Sequence, residues 1–314
     1  MAGPLRLTAP AKLNLMLRVL SRQGTGYHEL QTLFELLDWG DEMQFRVEAT
    51  APFVDQPVRP EEPPVQIEGE FAGVPTRQNL IWKAASRLWP FALWPVPVRI
   101  EVNKNIPTGG GLGGGSSNAA TALKVLNEYW QCGQSEQDLM AHGLALGADV
   151  PVFLSARPAL AGGVGERLTH VELPVRHFVL VFPDEGLSTA AVFADPDLPR
   201  DSQPLTMAQA LEPARWSNDC LGPALKRCSP LAVSWQKVEA IRQQPPFSTK
   251  TGVFGPHLSG TGSTFFVAFD EEEMAQDFMR ALRRCQQESG HREHAIPARF
   301  HLARSWRPGA GEKS

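Results

Sequence analysis

Cysteine is scarce in this chain, and the four present, Cys132, Cys220, Cys228 and Cys285, show neither C-x-x-C spacing nor a histidine arrangement suited to zinc. They read as reduced, mostly buried thiols in a cytoplasmic protein. Long apolar runs are missing too: no stretch approaches eighteen uninterrupted apolar residues, and the opening Met-Ala-Gly-Pro-Leu-Arg-Leu has no apolar signal core, so no membrane anchor is expected. Basic charge is not in excess, with 30 Lys and Arg against 34 Asp and Glu, a net charge of −4 and a pI near 6.1. That excludes the positive field a nucleic-acid partner would require and leaves a small molecule as the expected partner. No internal repeat is evident. The 314 residues, 42% of them apolar, can build one large or two medium domains. Nothing in the pattern separates a monomer from a homodimer.

What the chain does have is glycine, concentrated in one place. Residues 107 to 123 read Pro-Thr-Gly-Gly-Gly-Leu-Gly-Gly-Gly-Ser-Ser-Asn-Ala-Ala-Thr-Ala-Leu, so six glycines leave Leu112 as the only side chain with a β-carbon between Gly109 and Gly115. Backbone N–H groups in such a loop can approach a ligand closely, and φ can turn positive. Upstream, Val98, Ile100 and Val102 alternate with Arg99, Glu101 and Asn103, the period of a strand with one buried face. Downstream, Ser116 or Ser117 is expected to cap a helix whose face is Ala119, Ala122, Leu123, Leu126 and Trp130. Strand, glycine loop and helix N-terminus in that order make a receptor for phosphate.

Three phosphate-binding templates compete for the stretch. A Walker loop needs Gly-Lys-Ser/Thr, but no lysine occurs between Lys104 and Lys124. The dinucleotide pattern is formally met at Gly109, Gly111 and Gly114, yet it expects a fully buried strand beforehand and an acidic residue ending a second strand. Here the strand alternates, and the nearest candidate, Glu128, lies inside the helix. The third template, Pro-x-x-x-Gly-Leu-Gly-Gly/Ser-Ser-Ser/Ala-x-Ala, is met from Pro107 to Ala119 with one extra glycine. The segment thereby resembles the phosphate-binding motif of the galactokinase, homoserine kinase, mevalonate kinase and phosphomevalonate kinase (GHMP) superfamily.

Further segments extend the resemblance. Ala9-Pro-Ala-Lys-Leu-Asn-Leu, on a stretch where Leu13, Leu15, Leu17 and Val19 alternate with Lys12, Asn14, Met16 and Arg18, is similar to the opening motif of the superfamily's 4-diphosphocytidyl-2-C-methyl-D-erythritol kinase branch. The periodicity alone puts Lys12 and Asn14 on the strand face away from the core. Gly26-Tyr-His-Glu-Leu-Gln-Thr-Leu is similar to the same branch. Leu146-Gly-Ala-Asp-Val-Pro-Val-Phe resembles the segment carrying the family's catalytic aspartate, and Pro151 is expected to stop the preceding helix. Asn79 is expected to cap a helix bearing Leu80, Ala84 and Leu88, and Asn-Leu-Ile there also recurs in the family. Ser259-Gly-Thr-Gly-Ser matches the superfamily's third motif, and Glu271 to Glu288 reads as an amphipathic helix before a last strand near Ile296 to Leu302.

The resemblance implies an α+β, two-domain GHMP kinase fold. Its N-terminal ATP-binding domain, 1–160, would be like the second domain of ribosomal protein S5. The C-terminal domain, 161–308, would be ferredoxin-like, with a frayed tail at 309–314. It implies ATP as co-substrate with Mg²⁺, bound by Lys104, Pro107, Thr108, Gly109, Gly110, Gly111, Leu112, Gly113, Gly114, Gly115, Ser116 and Ser117. The metal would be held through the ATP phosphates, with Ser116 or Ser117 as candidate side-chain ligands. It implies Asp149 and Lys12 as the catalytic pair, Asn14 orienting the acceptor hydroxyl, and Tyr27, His28, Thr189 and Phe193 around a cytosine ring. The implied acceptor is the 2-hydroxyl of 4-diphosphocytidyl-2-C-methyl-D-erythritol. Two readings stay open beside it: a sibling kinase using homoserine or mevalonate, and a nucleotide-binding module without turnover. The proline-rich segment 52–64 is expected to be a surface loop and receives no role.

Overall fold

The structure, a computed structural model, describes residues 3–22, 24, 28–48, 61–71, 73–288 and 296–307. Tyr27, most of the proline-rich segment and the tail at 309–314 lie outside the described residues. By their contacts the residues group into two compact units, which are not consecutive stretches of chain. The first comprises Met1–Ala11, Trp39–Ile106 and Gly113–Arg157; the second comprises Lys12–Asp38, Pro107–Leu112 and Pro158–Ser314. The two longest strands, β1 (Leu5–Arg22) and β2 (His28–Val47), pair with each other and contribute to both.

In the first unit the C-terminal part of β2 runs antiparallel to β4 (Val98–Asn103), Phe45 opposite Ile100, and β3 (Val65–Gly69) lies parallel on its other side. The alternation read from the sequence holds: Val98, Ile100 and Val102 are buried and Glu101 is not. Helices α1 (Leu80–Leu88), α2 (Gly114–Tyr129) and α3 (Glu136–Leu146) follow the expected order, and a short α4 (Val150–Ser155), not expected, comes after them. The Asn79 side chain accepts from the Ile81 N–H at 2.9 Å, the expected cap, and Ala84 and Leu88 are buried below it. The α2 face of Ala119, Ala122, Leu123 and Leu126, with Trp130 just beyond, is fully buried.

In the second unit the N-terminal part of β2 pairs with β5 (Ala159–Gly162), which pairs with β6 (Arg167–His170), both antiparallel. A separate antiparallel sheet follows in the order β10-β7-β9-β8, formed by β7 (His177–Pro183), β8 (Val253–Leu258), β9 (Phe265–Phe269) and β10 (Ala298–Arg304). Its connections hold α5 (Thr189–Phe193), α6 (Met207–Ala210), α7 (Leu221–Arg227), α8 (Ser229–Arg242) and α9 (Glu272–Glu288). Met274, Phe278 and Leu282 of α9 bury the expected apolar stripe among Phe247, Phe265 and Phe269. Three of the four cysteines are buried and all are free thiols. Among the described residues no helix is long and apolar enough to cross a membrane.

Candidate functional site

In the second unit, Lys12 and Asn14 do not lie on a solvated strand face. Both are 3% exposed, because β1 is covered on both sides from Ala11 to Leu17. Two β-carbons apart on one face, they meet directly: Lys12 Nζ donates to Asn14 Oδ1 and, at 2.9 Å, to the Gly111 carbonyl. The Lys12 N–H donates to the Leu112 carbonyl at 3.0 Å. The Asn14 amide nitrogen donates to Thr32 Oγ1 at 2.8 Å, and that hydroxyl donates to the Met16 carbonyl at 2.6 Å. Oxygens such as these replace the hydration that a cation gives up at this depth.

The second glycine turn is bonded into the same corner. Ser259 Oγ donates to the Gly111 carbonyl at 3.0 Å and accepts from the Asn14 N–H at 3.2 Å, while the Thr264 N–H donates to the Gly110 carbonyl at 3.3 Å. This contact explains why the loop needs glycine. A β-carbon on Gly111, whose φ is +74°, would stand 2.2 Å from the Ser259 carbonyl oxygen. On Gly110 it would meet Thr264 Oγ1 at 2.8 Å. These two glycines therefore admit a neighbouring loop.

In the first unit, the start of α2 differs from expectation. The cap is Gly113, left-handed at φ +72°, so Ser116 and Ser117 fall inside the first turn instead of capping it. Ser116 is half-exposed, whereas Ser117 is fully buried and its hydroxyl has no hydrogen-bond partner among the described residues. Lys104, expected to meet nucleotide, forms an ion pair with Asp41 and donates to Asn118 Oδ1 at 3.0 Å. It also borders an open groove of about 800 Å³ shared with Arg6, Glu42 and Glu101. Asp41, fully buried, additionally accepts from the Asn105 and Ile106 N–H groups at 2.8 and 2.9 Å and from Asn118 Nδ2 at 3.0 Å. It thus ties the end of β4 to the first turns of α2. Sequence reasoning missed Asp41, since an aspartate on a long strand carries no local signal.

Asp149 follows α3, whose end at Leu146 and Gly147 is as expected, but Pro151 does not keep the chain out of helix. It sits at the second position of α4, where its missing N–H is one no helix would use. Asp149 occupies the N-cap position without making a side-chain cap bond. The turn lies against α2, since a β-carbon on Gly147 would come within 3.9 Å of Ser116 Oγ. Lys124 of α2 reinforces this by donating to the Phe153 carbonyl at 3.2 Å, and its burial lowers its pKa.

Of the residues expected around a base, three are described, all in the second unit. The His28 and Phe193 rings stack with centroids 5.1 Å apart and planes at 24°. That is ordinary contact, so a third ring would stack on the outside of the pair. Thr189 is exposed at the start of α5 and shares a hydrogen bond of 3.0 Å with Thr261 of the second glycine turn. Arg200, not foreseen, donates from Nε to His28 Nε2 at 3.3 Å. Burial, then Arg200 and Arg22, lower the His28 pKa from its ordinary value.

Comparison with known proteins gives a consistent result. The GHMP kinases N terminal domain matches residues 79–157. The 4-diphosphocytidyl-2-C-methyl-D-erythritol kinase of Pseudomonas aeruginosa (strain LESB58) is 46% identical over 275 residues, covering 88% of this chain and 89% of the relative. The protein of that name from Haemophilus influenzae (strain ATCC 51907 / DSM 11121 / KW20 / Rd) is 40% identical over 280 residues, covering 88% and 81%. A crystal structure of 4-(cytidine 5'-diphospho)-2C-methyl-D-erythritol kinase superposes with a TM-score of 0.74 at 30% identity, covering 96% of this chain and 100% of that one. The Methanococcus jannaschii mevalonate kinase, at 11% identity and a TM-score of 0.63 over 98% of this chain and 99% of its own, shares the fold alone.

Proposed function

Because this chain belongs to the 4-diphosphocytidyl-2-C-methyl-D-erythritol kinase family of the GHMP kinases, we propose the following residue roles in its reaction. That reaction is the ATP-dependent phosphorylation of the substrate's 2-hydroxyl with release of ADP, in non-mevalonate isoprenoid precursor synthesis. The observation that carries the assignment is the built-in cation: Lys12 is bonded at once to Asn14 and to the glycine loop at Gly111. Phosphoryl transfer asks the protein for alignment and charge stabilisation and for little covalent chemistry.

Asp149 takes the proton of the acceptor hydroxyl as the new O–P bond forms. Lys12 stabilises the charge on the transferring phosphoryl group, and Asn14 orients the hydroxyl. The backbone of Gly109 to Gly115 and the positive end of α2 hold the nucleotide phosphates. His28 and Phe193 hold the cytosine, with Thr189 at the edge. The buried, unpartnered Ser117 hydroxyl and the half-exposed Ser116 fit a hard cation arriving with the phosphates. Mg²⁺ held there would supply charge neutralisation between the phosphate oxygens. A cytoplasmic location accompanies this reading.

The test is coupled ADP release with ATP, Mg²⁺ and 4-diphosphocytidyl-2-C-methyl-D-erythritol, run beside mevalonate and homoserine. Turnover confined to the cytidyl substrate is the expected result. Turnover confined to another acceptor would remove the cytosine site, and no turnover with any of them would revive a non-catalytic nucleotide-binding module.

A further inference from the structure

We infer that Arg200 is a positioning residue of the base-binding corner: it holds His28 as the neutral tautomer protonated on Nδ1 and so presents that N–H to a ring acceptor of the substrate's pyrimidine. The inference rests on the functional reading above only for the identity of the ligand. The tautomer is a property of the protein alone.

The argument starts from what a guanidinium can do. It remains charged, has five N–H donors and accepts nothing. Arg200 Nε donates to His28 Nε2 at 3.3 Å, so that ring nitrogen must offer a lone pair. A neutral imidazole carries one proton, which then sits on Nδ1. Protonating both nitrogens would aim Nε2–H at the Arg200 N–H, donor against donor, beside a second cation at Arg22.

The remaining arms of Arg200 show why it stays in place. One terminal nitrogen donates to the Leu198 carbonyl at 3.0 Å, and the other to the Phe193 and Asp195 carbonyls at 2.9 and 2.8 Å. Those last two oxygens belong to the end of α5 and the residues just after it, where a helix leaves carbonyls without intrahelical partners. One side chain thus satisfies the end of α5, fixes the backbone of Phe193 and orients His28 against the Phe193 ring. With one face of each ring covered by the other, recognition by His28 falls to its edge. Cytosine offers two ring-edge acceptors, N3 and O2, to an N–H donor, while its exocyclic amine can only donate.

Long-range ¹H–¹⁵N spectra of the full-length protein with ¹⁵N-labelled histidine, at neutral pH and without ligand, read the tautomer directly. His28, assigned by the signal lost in His28→Gln, is expected to carry its proton on Nδ1. Arg200→Met should move that proton to Nε2 and raise KM for the cytidyl substrate about tenfold. Its kcat and its KM for ATP should stay within about twofold, because a lost ground-state contact leaves chemistry intact. A wild-type ring protonated on Nε2 overturns the inference, as does Arg200→Met with an unchanged tautomer or an unchanged KM. The wild-type spectrum decides the tautomer even where the variant does not fold. If the wild type turns over only a non-cytidyl acceptor while keeping the Nδ1 proton, the substrate reading fails and the tautomer stands.

Discussion

Two corners of the second unit are built to opposite specifications. Around Lys12 the side chains of Asn14, Thr32 and Ser259 are buried, and direct bonds link them with Lys12 and the half-buried Gly111. Around His28 the rings are half-buried, and Arg200 bonds to both His28 and the end of α5. A buried network in a low-dielectric setting is rigid, because moving one member strands the others. A half-exposed stack can adjust at the cost of one contact. The first corner suits chemistry that tolerates little displacement, and the second suits recognition of a flat ring.

The largest effects should break the chemical side of that contrast. Asp149→Asn is expected to lower kcat by roughly 10²–10⁴, with nucleotide affinity kept. Near-normal turnover would take Asp149 out of the mechanism. Lys12→Met should cost about 10²–10³ in kcat and should also lower stability, because Asn14 Oδ1 loses a partner in a place water does not reach. A stable Lys12→Met enzyme with normal kcat would mean that the buried cation is structural only. Next is Gly111→Ala, which places a β-carbon against the Ser259 carbonyl at a positive φ. A loss on the order of 2–4 kcal/mol in urea unfolding is expected, and unaltered stability would show that the two glycine turns need not touch.

The recognition side should respond more gently and depend on pH. The depressed pKa of His28 keeps it neutral at and somewhat below the ordinary histidine range, with burial the largest cause and Arg200 and Arg22 adding to it. Lowering pH through the folded pKa adds a proton to Nε2, breaks the Arg200 contact and should raise KM for the cytidyl substrate. The same shift makes stability rise with pH across the window between the lowered folded value and 6.5, because the unfolded chain binds the proton first. His28→Gln should remove the acid rise in KM, and a rise that persists in that variant would place the titrating group elsewhere.

The parts of this molecule legible in its sequence are those whose cause is local. The β4 alternation, the α2 face, the Asn79 cap and the α9 stripe follow from period and neighbour, and each stands where expected. The burial of Lys12 and Asn14 could not be read that way, since part of their cover comes from Ser259, 245 residues beyond Asn14. Asp41 and Arg200 were missed for the same reason: the side chain each one ties to the site is distant in sequence, 63 residues for Lys104 and 172 for His28. At α2 the serine preference for caps pointed to Ser116 or Ser117, but Gly113 can turn left-handed and took the position first. The family motifs named the candidate site residues, whereas the bonds that hold them came from the fold.

The smallest expected effect separates those two serines. Ser117 buries a hydroxyl that no group among the described residues satisfies, although such a group ordinarily costs a protein stability unless something binds it. If phosphate or its cation is that partner, Ser117→Ala should leave stability without nucleotide unchanged or raise it by less than about 1 kcal/mol, since it removes an unpaired group. The same variant should lose part of the rise in Tm that ATP with Mg²⁺ gives the wild type, because binding no longer satisfies the hydroxyl. Ser116→Ala, at a half-exposed position where water already serves the hydroxyl, should change nucleotide-free stability little and so provides the reference. Thermal unfolding of the three proteins with and without nucleotide tests this directly. A Ser117→Ala protein that is less stable alone, yet gains as much from nucleotide as the wild type, would assign the hydroxyl to the packing of α2 and leave the phosphates to the backbone.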